Sequence, residues 1–296
     1  MSVAVATFYK FVPVEDCPAL QRSLQSLCEA LNLQGTILLA TEGLNATVAG
    51  HQDNVTQLLD WLATDDRFAN LSPKWAIAPA PPFGRLKVKI KREIVTLGQP
   101  DAKPSEQVGT YVSPTDWNQV ITDPDVVVVD ARNDYEVNIG TFKGAINPQT
   151  ESFKQLPDYL TTHFNPQRHK KVAMFCTGGI RCEKATAYLL KQGFEAVYHL
   201  QGGILNYLAE VDEPDSLWQG ECFVFDERVA VGQGLQPGSY DLCYACGNPI
   251  SEADKAHAHY EPGIACPHCY AALTPEKRAK QAMRKLQHDQ KQGSAL

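Results

Sequence analysis

The 296-residue chain has little of what would tie it to a membrane, a secretory route or a familiar redox cofactor. No stretch approaches the roughly 20 consecutive apolar residues of a membrane span. The opening MSVAVATFYKFVPVEDC lacks the basic start and unbroken apolar run of a signal peptide, so a cytoplasmic location is expected. A GxGxxG turn and a two-histidine, one-carboxylate pattern are both missing, which leaves no signature for a dinucleotide or a non-haem iron centre. Positive charge is also in short supply. Lys+Arg number 27 against 34 Asp+Glu, a net charge of −7 that argues against indiscriminate polyanion binding. The deficit is uneven: residues 1–100 are balanced at nine and nine, residues 101–274 hold twelve basic against twenty-three acidic, and residues 275–296 hold six against two. Nine cysteines cannot all pair with one another, and their spacing points to chemistry and metal rather than disulfides.

The most informative segment is VAMFCTGGIRCEKATA, residues 172–187. Cys176 closes an apolar, strand-like run and a tight turn then opens a helix-like stretch. At such a junction backbone N–H groups and the positive end of the helix dipole favour thiolate, the nucleophilic form. Gly178 and Gly179 allow positive φ, so the amides can close around a small anion, and Arg181 adds a charge that burial cannot remove. Cys176, Thr177, Gly178, Gly179, Ile180 and Arg181 form a six-residue cradle that resembles the active-site loop of rhodanese domains, one residue shorter than the CxxxxxR loop of cysteine phosphatases. The competing reading makes Cys176 a small buried hydrophobe, which would not need two glycines and an arginine after it. Cys182 is either a resolving thiol for Cys176 or a packing residue beneath the loop.

The expected architecture is α/β multidomain. Residues 1–95 alternate strand and helix patterns in the β-α-β-β-α-β order of a ferredoxin-like α+β domain, and 96–109 read as a linker. Before the linker, Arg85, Lys87, Lys89, Lys91 and Arg92 surround Leu86, Val88 and Ile90, forming a basic ribbon. It reads either as an RNA-backbone contact or as an edge strand guarded by lysines. Residues 110–215 carry three apolar runs separated by helix-forming material, the layout of a rhodanese-like α/β domain whose parallel sheet presents its loops at the carboxyl ends. Asp130 and Arg132 follow the first run, with Glu136 soon after. Residues 216–275 form a small Cys-rich segment in which Cys243-x-x-Cys246 and Cys266-x-x-Cys269 match a four-thiolate structural zinc site, disulfides or free thiols being the alternative. A basic helical tail, 276–296, completes the chain.

Along nearly its whole length the sequence resembles the rhodanese-domain tRNA uridine hydroxylases of bacteria. TEGLNATVAG, RLKVKIKREIVTLG, GTYVSPTDWN, DARNDYEVNIGTFKGAINP, CTGGIRCEKA, HLQGGIL, GECFVFDERVAV and the paired CxxC turns carry the resemblance. It implies oxygen-dependent hydroxylation of the wobble uridine, position 34, to 5-hydroxyuridine. Cys176 would be the active-site cysteine, passing through a cysteine persulfide, and Asp130 and Arg132 would brace the site as a DxR pair does in rhodanese domains. The partner would be tRNA, bound at its anticodon region; the electron donor is left open. Two rivals stand beside this reading: a thiosulfate-type sulfurtransferase or sulfur carrier using the same loop, and a zinc-stapled RNA-binding protein with an inert rhodanese domain.

Overall fold

The computed structural model describes residues 3–78, 80–226 and 228–293. The first unit comprises β1 (Val3–Phe11), α1 (Cys17–Ala30), β2 (Gln34–Ala40), β3 (Gly43–Gly50), α2 (Gln52–Ala63), β4 (Lys74–Ala78) and β5 (Leu86–Ile90). Its sheet runs β4-β1-β3-β2-β5, with the first four strands antiparallel and β5 added parallel to β2. The expected ferredoxin-like order therefore gains a fifth strand. Helix spacing explains the layering: Leu20, Leu24 and Cys28 of α1 and Val55, Leu58 and Leu62 of α2 bury one apolar stripe each against Phe8, Ile37, Leu39, Leu44 and Val48. Val88 joins that core from β5 with Leu86 partly buried beside it, so the basic ribbon is an edge strand anchored through Val88, while Ile90 stays exposed.

The second unit comprises β6 (Thr110–Val112), α3 (Pro114–Ile121), β7 (Val126–Asp130), α4 (Asp134–Val137), β8 (Gly140–Phe142), α5 (Leu156–His163), β9 (Lys171–Phe175), α6 (Ile180–Lys191), β10 (Ala196–Leu200) and α7 (Gly203–Glu210). Strands β6-β10-β9-β7 form an all-parallel sheet. It is covered on both faces, which is why β7 and β9 are continuous apolar runs rather than alternating ones. Leu97 and Ala102, from the expected linker, are buried in one of these layers, so that segment is packed and not a free tether. Residues 218–226 and 228–231, grouped above with the cysteine pairs, pack against this unit. β11 (Trp218–Gly220) pairs with β8, and Cys222, Val224 and Val231 pack beside Trp117, Phe142 and Tyr207.

Lys184 of α6 clamps the two units together. Its side chain is 1% exposed, and its ammonium meets Glu42 at 2.6 Å and Glu93 at 2.6 Å and donates to the Val95 carbonyl. A buried cation with two carboxylates is costly to leave half-made, which fixes how the units dock. Cys243, Cys266 and Cys269 form a third, small core with Ile250 and Ala265, while Cys246 is exposed. The tail is a helix, Pro275–Gly293, anchored by the Arg278–Glu261 ion pair and by Arg278 over the Tyr270 ring at 4.8 Å. Residues 294–296 of the expected tail lie outside the described residues.

Candidate active site

β9 is an inner strand of the parallel sheet, and Cys176 follows its last residue at the carboxyl edge. The chain turns through Thr177 and Gly178, and Gly179 caps α6 with φ 103°. A side chain at Gly179 would be strained by that φ and would place its Cβ 2.8 Å from the Tyr9 hydroxyl. α7 closes the loop from the other side: the amides of Ile204 and Leu205 donate to the carbonyls of Cys176 and Thr177 at 3.0 and 3.2 Å. Gly203 permits that approach, since a Cβ there would lie 2.4 Å from the Cys176 carbonyl oxygen. This is the physical content of the HLQGGIL run.

Cys176 is 1% exposed. Burial by itself would push its pKa up; the Cys182 thiol, the Arg181 charge and the amides of Cys182 and Gly179 outweigh burial and bring it from an ordinary 9.0 down to about 5. The Gly179 amide lies 3.2 Å from the sulfur. Cys182 moves the opposite way, raised by burial and by donating to Cys176. At neutral pH one thiolate therefore accepts a hydrogen bond from one thiol.

Arg181 does not stand free in the cradle. Its guanidinium forms a bidentate pair with Glu136 at 2.7 Å on both arms and reaches the Thr177 hydroxyl at 3.3 Å. Glu136, fully buried, is held below the usual carboxylate range: burial would raise it, but the Arg181 charge and hydrogen bonds prevail. Asp130 and Arg132 pair with each other, 2.6 Å at the closest, and Arg132 also donates to the carbonyls of Glu136 and Gly140. The DxR pair thus touches the backbone of the residue that holds Arg181. The sequence does not single out Glu136, which lies 45 positions from its partner; only its place just after the DxR pair hints at it.

The first unit supplies the other wall. Tyr9 of β1 donates to Glu183 at 2.7 Å. Burial is the main cause of a raised Glu183 pKa, and burial followed by the Glu183 charge raises that of Tyr9. Lys74 of β4 donates to the carbonyls of Gly178 and Gly202. Burial lowers its pKa to about 8 while the Cys176 charge opposes that shift. Neither residue carries a sequence signature.

The four cysteines of the CxxC turns gather their sulfurs within 4.8 Å of one another, and all four are free thiols. Cys246 lies 3.7 Å from Cys266, and Cys266 lies 3.8 Å from Cys269. A tetrahedron with metal–sulfur arms of about 2.3 Å has edges of about 3.8 Å, so the donor set fits zinc. His268 points instead to Asp254 at 3.4 Å. In the basic ribbon, Lys87 and Lys89 lie within β5 and Arg85 just before it. Lys91 and Arg92 line a separate groove of about 810 Å³ with Lys103 and Lys154. Among the described residues no helix is long and apolar enough to cross a membrane.

Residues 3–94 match the family model of the UPF0176 acylphosphatase-like domain, and residues 113–210 match that of the rhodanese-like domain. The chain is 58% identical over 276 residues to the tRNA uridine(34) hydroxylase of Picosynechococcus sp., with 93% of each chain covered. It is 57% identical over 280 residues to that of Acaryochloris marina, covering 95% of this chain and 90% of the relative. To that of Teredinibacter turnerae it is 54% identical over 276 residues, covering 93% and 86%.

Proposed function

The chain belongs to the tRNA uridine(34) hydroxylase family, and from that premise we propose that it converts the wobble uridine of tRNA to 5-hydroxyuridine, with Cys176 as nucleophile and molecular oxygen as co-substrate. The supporting observation is the Cys176 thiol, buried yet held at about 5 by Cys182, Arg181 and two amides. Addition of the thiolate to C6 of the uracil makes C5 electron-rich. One oxygen atom then bonds to C5, and the other leaves as water with two electrons and two protons from a donor. Loss of the C5 proton expels the thiolate. A persulfide on Cys176, the form the family resemblance implies, would occupy the same cradle.

Thr177, Gly178, Gly179, Ile180 and Arg181 form the anion cradle in this reading, and Glu136 orients Arg181. Asp130 and Arg132 brace it from below, and Cys182 donates to the thiolate or resolves it. Because Cys176 is 1% exposed, the target base must leave its stack to reach it. Cys243, Cys246, Cys266 and Cys269 hold a structural zinc, which has no redox chemistry and takes no part in the reaction. Arg85, Lys87, Lys89, Lys91 and Arg92 contact the anticodon region of the tRNA in the cytoplasm.

Mass spectrometry of tRNA nucleosides from a deletion strain tests this reading. Complementation with the wild-type gene restores 5-hydroxyuridine and Cys176→Ser does not; full restoration by the serine variant would refute it. The Cys182 thiol beside Cys176 also suits a sulfur relay. A thiosulfate and cyanide assay separates the two readings, with little thiocyanate expected from the hydroxylase.

A further inference from the structure

The strand registers of the first unit sort charge by face. Side chains of paired positions point the same way, so the faces can be followed from strand to strand. Lys74 pairs with Thr7, Thr7 with Thr47, Thr47 with Thr36, and Thr36 with Lys87. These five residues form one transverse row across all five strands, spanning four strand gaps of about 4.8 Å, or about 19 Å. The adjacent row on the same side runs through Tyr9, Asn45, Leu38 and Lys89. The opposite side carries Phe8, Ile37, Leu39, Leu44 and Val48 into the core beneath α1 and α2. No helix of the first unit covers the row, and Thr7 and Lys89 are exposed.

We infer that this face, turned away from α1 and α2 and met by α6 of the second unit and the loop before it at its Tyr9 and Lys74 end, is the platform that carries the phosphate backbone of the RNA substrate to Cys176, with Lys74 at the catalytic end of the row and Lys87 and Lys89 at the far edge. The inference rests on the reading of the protein as a tRNA-modifying enzyme and names the surface that reading requires. Three observations carry it. First, the strand positions on this face, from Val5, Thr7, Tyr9 and Phe11 through Gln34, Thr36 and Leu38, Asn45 and Thr47, Lys74 and Ala76 to Lys87 and Lys89, include three lysines and no carboxylate, in a chain of net charge −7. The covering helices carry the opposite balance, with Glu29, Asp53 and Asp60 against Arg22.

Second, the row ends at the reactive loop. Lys74 bonds the carbonyls of Gly178 and Gly202, and Tyr9 bonds Glu183, so a backbone laid along the row arrives beside Cys176. Third, the row is made of hydroxyls and ammonium groups, which bond phosphate oxygens without reading sequence. Open sheets with cationic side chains suit single strands, and a splayed anticodon loop presents one. The ribbon's lysines thus act through their face of the sheet, and their edge position is compatible with that role.

The test is binding of a synthetic anticodon stem-loop with an unmodified wobble uridine, followed by fluorescence anisotropy across about 50 to 200 mM salt. Lys87→Glu/Lys89→Glu is expected to weaken binding at least tenfold and to lower the salt slope by about 1.4, since each single-strand phosphate contact contributes about 0.7. Arg22→Glu, on the covered side, should change affinity less than twofold. Lys87→Gln/Lys89→Gln should give a smaller loss in the same direction, which keeps the test decisive if charge reversal perturbs folding. Equal losses from the two faces, or no loss from either β5 variant while the wild type binds, would overturn the platform alone. A wild type that fails to bind the stem-loop would overturn it together with the reading it rests on.

Discussion

The loop at Cys176 and the cluster at Cys243 both favour a thiolate, yet they are built on different plans. At Cys176 a single neighbouring thiol, one arginine and two backbone amides hold the negative charge. At Cys243 the Cys246 thiol is the main cause of a lowered pKa, with burial opposing it and two amides and Cys266 assisting. The difference lies in what completes the shell. Three further sulfurs within 4.8 Å give Cys243 a donor set that could close around a metal, whereas Cys176 faces Lys74 and Tyr9 of another unit. A thiolate among thiolates is a ligand; a thiolate among amides and cations is a nucleophile.

The largest expected effect breaks the comparison from the metal side. Cys266→Ser, or a strong chelator, should remove one bound zinc per chain and unfold the small C-terminal core, because structural zinc binding contributes on the order of 10 kcal/mol to such modules. Metal analysis with limited proteolysis reads this out, and alkylation of Cys176 should be unchanged. Retention of zinc by the serine variant would count against the site.

Next in size is Glu136→Gln. It leaves the Arg181 guanidinium buried without its carboxylate and should cost about 3 kcal/mol of unfolding free energy, measured by urea denaturation. Zinc content should stay the same. A loss below about 0.5 kcal/mol would place the pair among exposed salt bridges instead.

The smallest effect sharpens the comparison by pH. Alkylation of Cys176 by a small neutral reagent should rise through a midpoint near 5 and be flat above it, while Cys182, raised by burial, stays unreactive at neutral pH. The same shift has a stability sign. A thiol whose folded pKa lies below its ordinary 9.0 adds stability that is full above pH 9, declines as pH falls, and is lost below about 5. A midpoint near 9 would remove the thiolate from the account.

Much of this was legible in the order of residues. The Cys176–Arg181 spacing, the helix repeats of α1 and α2, the valine run of β7 and the two CxxC turns are all local patterns, set by chain geometry within a few residues. The residues that complete the site are not local. Glu136 meets Arg181 across 45 positions, Lys74 meets Gly178 across 104, and Lys184 meets Glu42 across 142. No periodicity spans such distances. Proximity in sequence groups Trp218–Gly220 and Cys222, Val224 and Val231 with the cysteine pairs, while β-pairing with β8 and burial beside Trp117, both long-range, tie them to the central unit.

By itself, then, the sequence determined where a thiolate could be stabilised and where four sulfurs could converge, because turn and strand spacing are local and obey backbone geometry. The tertiary structure decided what surrounds them. Docking of one sheet against one loop brought Tyr9 and Lys74 to Cys176. Strand register placed lysines and threonines on the face turned away from α1 and α2. Both outcomes depend on contacts made far along the chain, where burial and ion pairing, rather than local preference, set the arrangement.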